Sequence, residues 1–167
     1  MCGRYFVDEE LRSGKYKLVS TDVHPGDKGV VLTSNGFEQL TWGFLGTKGI
    51  VFNARQETLL EKIMFKGSKR CIVPVRGFYE WSKNKEKNIF KDVEDKPLYL
   101  GAIYKDGYYC IVTTNANESV KPVHDRMPLI LEEDEIEQWL GDKGNLLLNK
   151  VNKPLKRIAF IEQLGLF

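Results

Sequence analysis

Two apolar segments, Leu98–Tyr104 and Tyr108–Thr114, flank the tripeptide Lys105-Asp106-Gly107. An Asp-Gly pair between strand-like runs is a strong hairpin signal, because the tight turn needs positive φ at its central residues. A hairpin this long commits the middle of the chain to antiparallel β-structure. Phe37–Trp42 alternates like a half-buried strand, and Cys71–Val75, Phe78–Trp81, Pro128–Leu131 and Ile158–Ile161 read as further short strands. Residues 82–96 are polar and mixed in charge, as expected of a long hairpin tip or flexible loop.

Helix signals are few. One helix is predicted to begin at Asn53-Ala54-Arg55-Gln56, with Leu59, Leu60, Ile63 and Met64 as its apolar stripe. Another spans Glu132–Leu140, with acidic residues in its first turn and Gly141 as its stop. Leu146–Val151 is a third candidate. Strands that outnumber helices without alternating with them predict an α+β fold and exclude a doubly wound parallel sheet. A length of 167 residues fits a single domain over 1–167.

Apolar residues make up 42% and charged residues 29%, which excludes a disordered or fibrous chain. No apolar run approaches the roughly 20 residues of a membrane span. The N-terminal Met-Cys-Gly-Arg-Tyr-Phe has no signal-peptide core, so the expected location is cytoplasmic. The net charge of +2 is too small to specify a polyanionic partner. Its distribution is uneven: residues 1–91 carry +6 and residues 92–167 carry −4. This asymmetry permits a basic face for phosphates.

Cys2, Cys71 and Cys110 are the three cysteines. An odd count without Cys-x-x-Cys or His-x-x-x-His spacing argues against a disulfide framework and a structural zinc site. Cys71 and Cys110 lie in apolar runs and read as inert core thiols. Cys2 differs. Removal of Met1 leaves a 1,2-aminothiol, whose amine and thiol have reference pKa values of about 7.7–8.0 and 8.5. With an aldehyde, the amine forms a Schiff base and the thiol closes a thiazolidine. The thiol alone is also a nucleophile, with the α-amine as its base. The plain reading is a second residue with no role.

Asn53 reads as an N-cap, with Gln56 in the reciprocal position. Arg55 would then sit in the first helical turn, where a cation opposes the macrodipole unless an anion such as phosphate binds there. Glu80 stands between aromatics in Gly77-Phe-Tyr-Glu-Trp81, where desolvation would raise its pKa and suit it to general acid work. His124, in Val123-His-Asp-Arg-Met-Pro128, is a candidate proton carrier, whereas His24 reads as a solvated loop residue.

Taken together these segments resemble the SRAP family, the SOS-response-associated peptidases or abasic-site-processing proteins. The matching motifs are Met1–Arg4, Trp42-Gly43, Asn53–Thr58, Arg70–Pro74, Gly77–Trp81 and His124–Pro128, all in family order over residues 1–128. The chain is short for the family between residues 6 and 41. It also has Val75-Arg76 where the family often has Ala-Asp or Ala-Ser.

The resemblance implies curved, mostly antiparallel sheets, barrel-like, with a few flanking helices around a central DNA-binding cleft. It implies a monomeric, nucleoid-associated protein that binds single-stranded DNA and crosslinks to abasic sites through Cys2. No metal, organic cofactor or membrane takes part, and no partner protein is assigned. Asn53 would orient the opened sugar, and Glu80 and His124 would carry protons. Arg4, Arg55 and Arg126 would contact phosphates, and Trp42 would lie near the DNA groove. Two rivals stay open. One is a thiol autopeptidase or N-terminal-nucleophile hydrolase. The other is a non-covalent single-stranded DNA-binding module with Cys2 idle.

Overall fold

The structure is a computed structural model and describes residues 2–8, 11 and 21–159. Its strands in chain order are β1 (Tyr5–Phe6), β2 (Asp22–Val23), β3 (Lys28–Thr33), β4 (Gly36–Trp42), β5 (Phe44–Gly46), β6 (Gly49–Val51) and β7 (Asn53–Arg55). They continue as β8 (Lys69–Val75), β9 (Gly77–Trp81), β10 (Lys87–Asp92), β11 (Leu98–Lys105), β12 (Tyr108–Asn115), β13 (Arg126–Pro128), β14 (Ile130–Leu131) and β15 (Leu155–Ala159). The one α-helix described, α1 (Ile136–Leu140), follows a 3₁₀ turn at Glu133–Glu135.

Five strands form an antiparallel sheet in the order β15-β10-β9-β1-β2. A second sheet closes on itself: β12 pairs β4, β4 pairs β3, β3 pairs β8, β8 pairs β11, and β11 returns to β12. Closure removes the exposed edges that an open sheet would present. β7 and β13 also pair β12, and β14 pairs β11. The result is the curved, barrel-like α+β architecture expected of the chain.

Period-two alternation divides the core. Cys71, Val73 and Val75 of β8 join Tyr5, Val23, Phe78 and Phe90 of the five-stranded sheet in one cluster. Ile72, on the opposite face, packs with Trp139 of α1, Leu147 and Leu148. The first cluster holds the phenols of Tyr5 and Tyr109, 2.5 Å apart. Gly29 makes room for them: a Cβ there would come within 2.3 Å of both hydroxyl oxygens.

The turn at Asp106-Gly107 has φ of 54° and 88°, as the hairpin requires. Other expectations are corrected. Asn53–Arg55 does not open a helix but forms β7, parallel to β12 with Asn53 opposite Ile111 and Arg55 opposite Thr113. Turns follow it, then a 3₁₀ turn at Ile63–Phe65. The supposed apolar stripe is broken, because Leu60 and Ile63 are exposed. Residues 82–96 contain the strand β10, and the helix at Leu146–Val151 is replaced by a 3₁₀ turn at Gly144–Leu147. Of the strand expected at Ile158–Ile161, the described part belongs to β15, and residues 160 and 161 lie outside the described residues. Among the described residues, no helix is long and apolar enough to cross a membrane.

Candidate active site

Cys2 enters the fold just before β1, which pairs β9 with Tyr5 opposite Phe78. That pairing lays the N-terminal segment along the strand carrying Glu80. Cys2 is fully buried, and its Sγ lies 4.0 Å from the carbonyl oxygen of Arg4. Asn53 reaches it from the barrel: its Nδ2 donates to the Cys2 carbonyl oxygen at 3.1 Å. Asn53 Oδ1 is buried and, among the described residues, has no hydrogen-bond partner. An acceptor left open in a buried site invites a donor on a bound molecule.

Glu80 sits in β9 opposite Asn88 of β10 and is 2% exposed. Burial raises its carboxyl above the ordinary range, and His124 acts in the opposite direction. Burial and the Glu80 charge together push the Cys2 thiol up. Cys2 is thus held as a neutral thiol beside a carboxyl whose acidity burial weakens. Cys71 and Cys110 are fully buried, and Cys110 is pushed up to about 12 by desolvation, which suits inert thiols.

His124 comes from the turn between β12 and β13, and its Nδ1 accepts the backbone N–H of Arg126 at 3.0 Å. A backbone N–H only donates, so this contact favours a lone pair on Nδ1 and the ring proton on Nε2, against Asp125 Oδ1, which lies 3.2 Å from the same nitrogen and favours a proton there. His124 also lines a groove of about 770 Å³ with Trp81, Ser82, Lys83, Asn84 and Lys121.

The expected phosphate contacts separate into two kinds. Arg55 is exposed and shares a face of β7 with Asn53, while Ala54 points into the core. Arg4 lies with its guanidinium carbon 5.1 Å from the Trp81 ring centroid and 5.6 Å from that of Tyr79. Lys87 Nζ lies 4.3 Å from the Tyr79 centroid, so cations and aromatics alternate across this face.

Trp42 and Arg126, expected at the DNA, are not at the surface. The Trp42 indole is fully buried, stacks with Tyr109 at 6.3 Å and donates through Nε1 to the Phe52 carbonyl oxygen. Arg126 is 5% exposed, and its guanidinium forms a bidentate pair with Glu57 at 2.6 and 2.9 Å. It also donates to Asn115 Oδ1, Thr113 O and Thr113 Oγ1. The plain reason is burial: the Trp42 Nε1 and both terminal nitrogens of Arg126 are committed within the fold, and Arg126 Nε is buried without a hydrogen-bond partner among the described residues. Glu57 itself was not singled out from sequence, because its partner stands 69 positions away.

Among the described residues, no group of three or more His, Cys, Asp and Glu side chains is arranged to hold a metal ion. The arrangement of Cys2, Asn53, Glu80 and His124 instead suits proton-assisted addition to a carbonyl.

A family model described as SOS response associated peptidase (SRAP) matches residues 1–161. Abasic site processing protein YoaM of Bacillus subtilis is 32% identical, with 86% of this chain and 81% of YoaM covered. Abasic site processing protein YedK of Escherichia coli is 25% identical, with 84% and 79% covered. In three dimensions, a solved structure of a protein from Bordetella bronchiseptica aligns with a TM-score of 0.78 at 21% identity. It covers 95% of this chain and 99% of that one, a likeness of fold.

Proposed function

The chain belongs to the SOS response associated peptidase family, and we propose that it captures abasic sites in single-stranded DNA through the aminothiol of Cys2. The observation that carries this reading is the Asn53–Cys2 hydrogen bond. It fixes the N-terminal residue by its carbonyl, leaving amine and thiol for chemistry beside Glu80 and His124.

The reaction starts from the closed hemiacetal of the abasic sugar. Glu80, whose carboxyl burial raises above the ordinary range, donates to the ring oxygen and releases the aldehyde. The Cys2 amine, free once Met1 is removed, adds to the aldehyde carbon to give a carbinolamine. Acid-assisted loss of one water gives the imine. The Cys2 sulfur then bonds to the same carbon, and the thiol proton passes to the imine nitrogen. The product is a thiazolidine, and the overall reaction loses one water. Closing the ring consumes the imine that would otherwise drive β-elimination and strand cleavage, so the lesion is shielded.

Arg55 and Arg4 hold phosphates on either side of the lesion in this reading, consistent with the exposure of Arg55 and the aromatic backing of Arg4. The test is incubation with a single-stranded oligonucleotide carrying one abasic site, followed by denaturing electrophoresis. A shifted, SDS-stable band that Cys2→Ala abolishes supports the reading. Affinity without any such band would leave a non-covalent binding module.

A further inference from the structure

The Glu57–Arg126 pair is unaccounted for by the reaction above, yet it joins the two segments that deliver site residues. Glu57 follows Asn53 and Arg55 out of β7, and the intervening Gln56 N–H donates to the Thr113 carbonyl oxygen at 2.9 Å. Both guanidinium nitrogens that face Glu57 also bind β12, at Thr113 and Asn115. Arg126 therefore pins the exit of β7 to β12, and its own backbone N–H fixes His124 Nδ1. Arg126 is buried and Glu57 exposed, and the two parallel N–H···O bonds of the fork fix one relative geometry.

We propose that Glu57 is a positioning residue that, through Arg126, holds the His124 ring with its proton on Nε2. The proposal rests on the reading of His124 as a proton carrier, but its primary readout does not need the reaction. Labelling the histidines with ¹⁵N and recording the two ring nitrogens of His124 in the DNA-free protein reports the tautomer directly. The wild type should show a protonated Nε2 and an unprotonated Nδ1. Glu57→Gln keeps the shape and removes the charge of the fork. It should shift His124 toward a mixture of tautomers and slow crosslinking by about 10-fold, less than the outright loss of a proton carrier would. Affinity for undamaged single-stranded DNA should stay within twofold. Glu57→Asp, which keeps the charge at shorter reach, should recover part of the rate and remains available if the glutamine variant does not fold. An unchanged tautomer, or a loss of DNA affinity in step with the loss of rate, would overturn the proposal. A protein with an altered tautomer but no crosslinking in the wild type would fail the functional reading alone.

A second inference rests on a separate observation. β15 runs along the edge of the five-stranded sheet to Ala159, opposite Asn88. The sequence then reads Phe160-Ile161-Glu162-Gln163-Leu164-Gly165-Leu166-Phe167. Gln163 offers an amide, and Leu164, Leu166 and Phe167 offer apolar anchors. No Lys or Arg interrupts the run. We infer that Gln163–Phe167 is a linear docking peptide for a partner protein presenting an apolar pocket with a polar rim. The probe is a purified bacterial DNA sliding clamp, titrated with the full chain and followed by fluorescence anisotropy. Saturable binding is expected, weakened at least 10-fold by Leu166→Ala with Phe167→Ala, while crosslinking to abasic DNA is unchanged. Absence of binding, or equal binding by the double variant, would overturn it.

Discussion

Asn53 Nδ2 donates to the carbonyl oxygen of Cys2 at 3.1 Å, across a sequence separation of 51 residues. The bond ties a barrel strand to the segment that supplies the nucleophile. It also means that the reactive residue is oriented through its backbone carbonyl as well as by the contact of its Sγ with Arg4.

Removing that anchor should slow crosslinking without abolishing it. A hydrogen bond of this kind contributes about 1 kcal/mol, so Asn53→Ala should lose roughly fivefold in rate. Asn53→Asp should lose more, because a carboxylate cannot donate and repels the Cys2 carbonyl oxygen. Single-turnover kinetics with an abasic oligonucleotide distinguishes the two; rates equal to wild type in both variants would show that the donor is immaterial.

Glu80→Gln separates activity from stability. Crosslinking should fall by ~10²–10⁴-fold, the usual contribution of a positioned acid. Stability should move the other way. Burial raises the Glu80 carboxyl in the folded protein above its ordinary value of 4.5. The native state therefore binds more protons than the unfolded one as pH rises through 4.5, and stability falls over that window. At neutral pH the glutamine variant should have the higher Tm, and the gain should vanish below about pH 4.5. Thermal melts at pH 4 and pH 7 check the sign.

Arg55→Ala should weaken binding to single-stranded DNA and reduce the log–log salt slope by about one counterion. The motive is now its exposure on the face of β7 that carries Asn53, rather than any helix dipole. An unchanged slope in a fluorescence titration would remove Arg55 from the phosphate contacts.

Gly29→Ala tests the packing under the site. The added methyl would meet the hydroxyls of Tyr109 and Tyr5 at 2.2 and 2.3 Å, and both rings are locked among Trp42 and the barrel strands. Overpacking of this kind costs about 1–3 kcal/mol. Urea denaturation should show a lower midpoint with an unchanged m-value; a midpoint equal to wild type would mean that the phenol pair yields freely.

The parts of the fold legible in the sequence are those where local chemistry and tertiary pairing agree. The Asp106-Gly107 turn and the alternation of β8 are of this kind, and so is the acidic start and glycine stop of the segment ending in α1. β10 was illegible because two of its three buried positions, Asn88 and Asp92, are polar: Asn88 accepts from Arg157 and Asp92 pairs with Lys153. Asn53–Arg55 was misread because pairing with β12 overrides a good local N-cap pattern. At the site, Cys2, Asn53, Glu80 and His124 were visible through motif resemblance. The commitment of Arg126 to Glu57 was not, since no local pattern links residues so far apart.

The parallel pairing of β12 with β4 and β7 has a kinetic consequence. Thr41 and Trp42 meet Tyr108 and Tyr109, and Asn53–Arg55 meet Ile111–Thr113. Parallel strands cannot be joined by a tight turn, so this seam forms after the local hairpins have already paid the entropy of loop closure. Asn53 lies on the seam, so the site assembles through a long-range pairing rather than within a local hairpin. Amide hydrogens of β7 should exchange with solvent ahead of those in the β11–β12 hairpin. Mild denaturation should silence the protein while most of its sheet still stands.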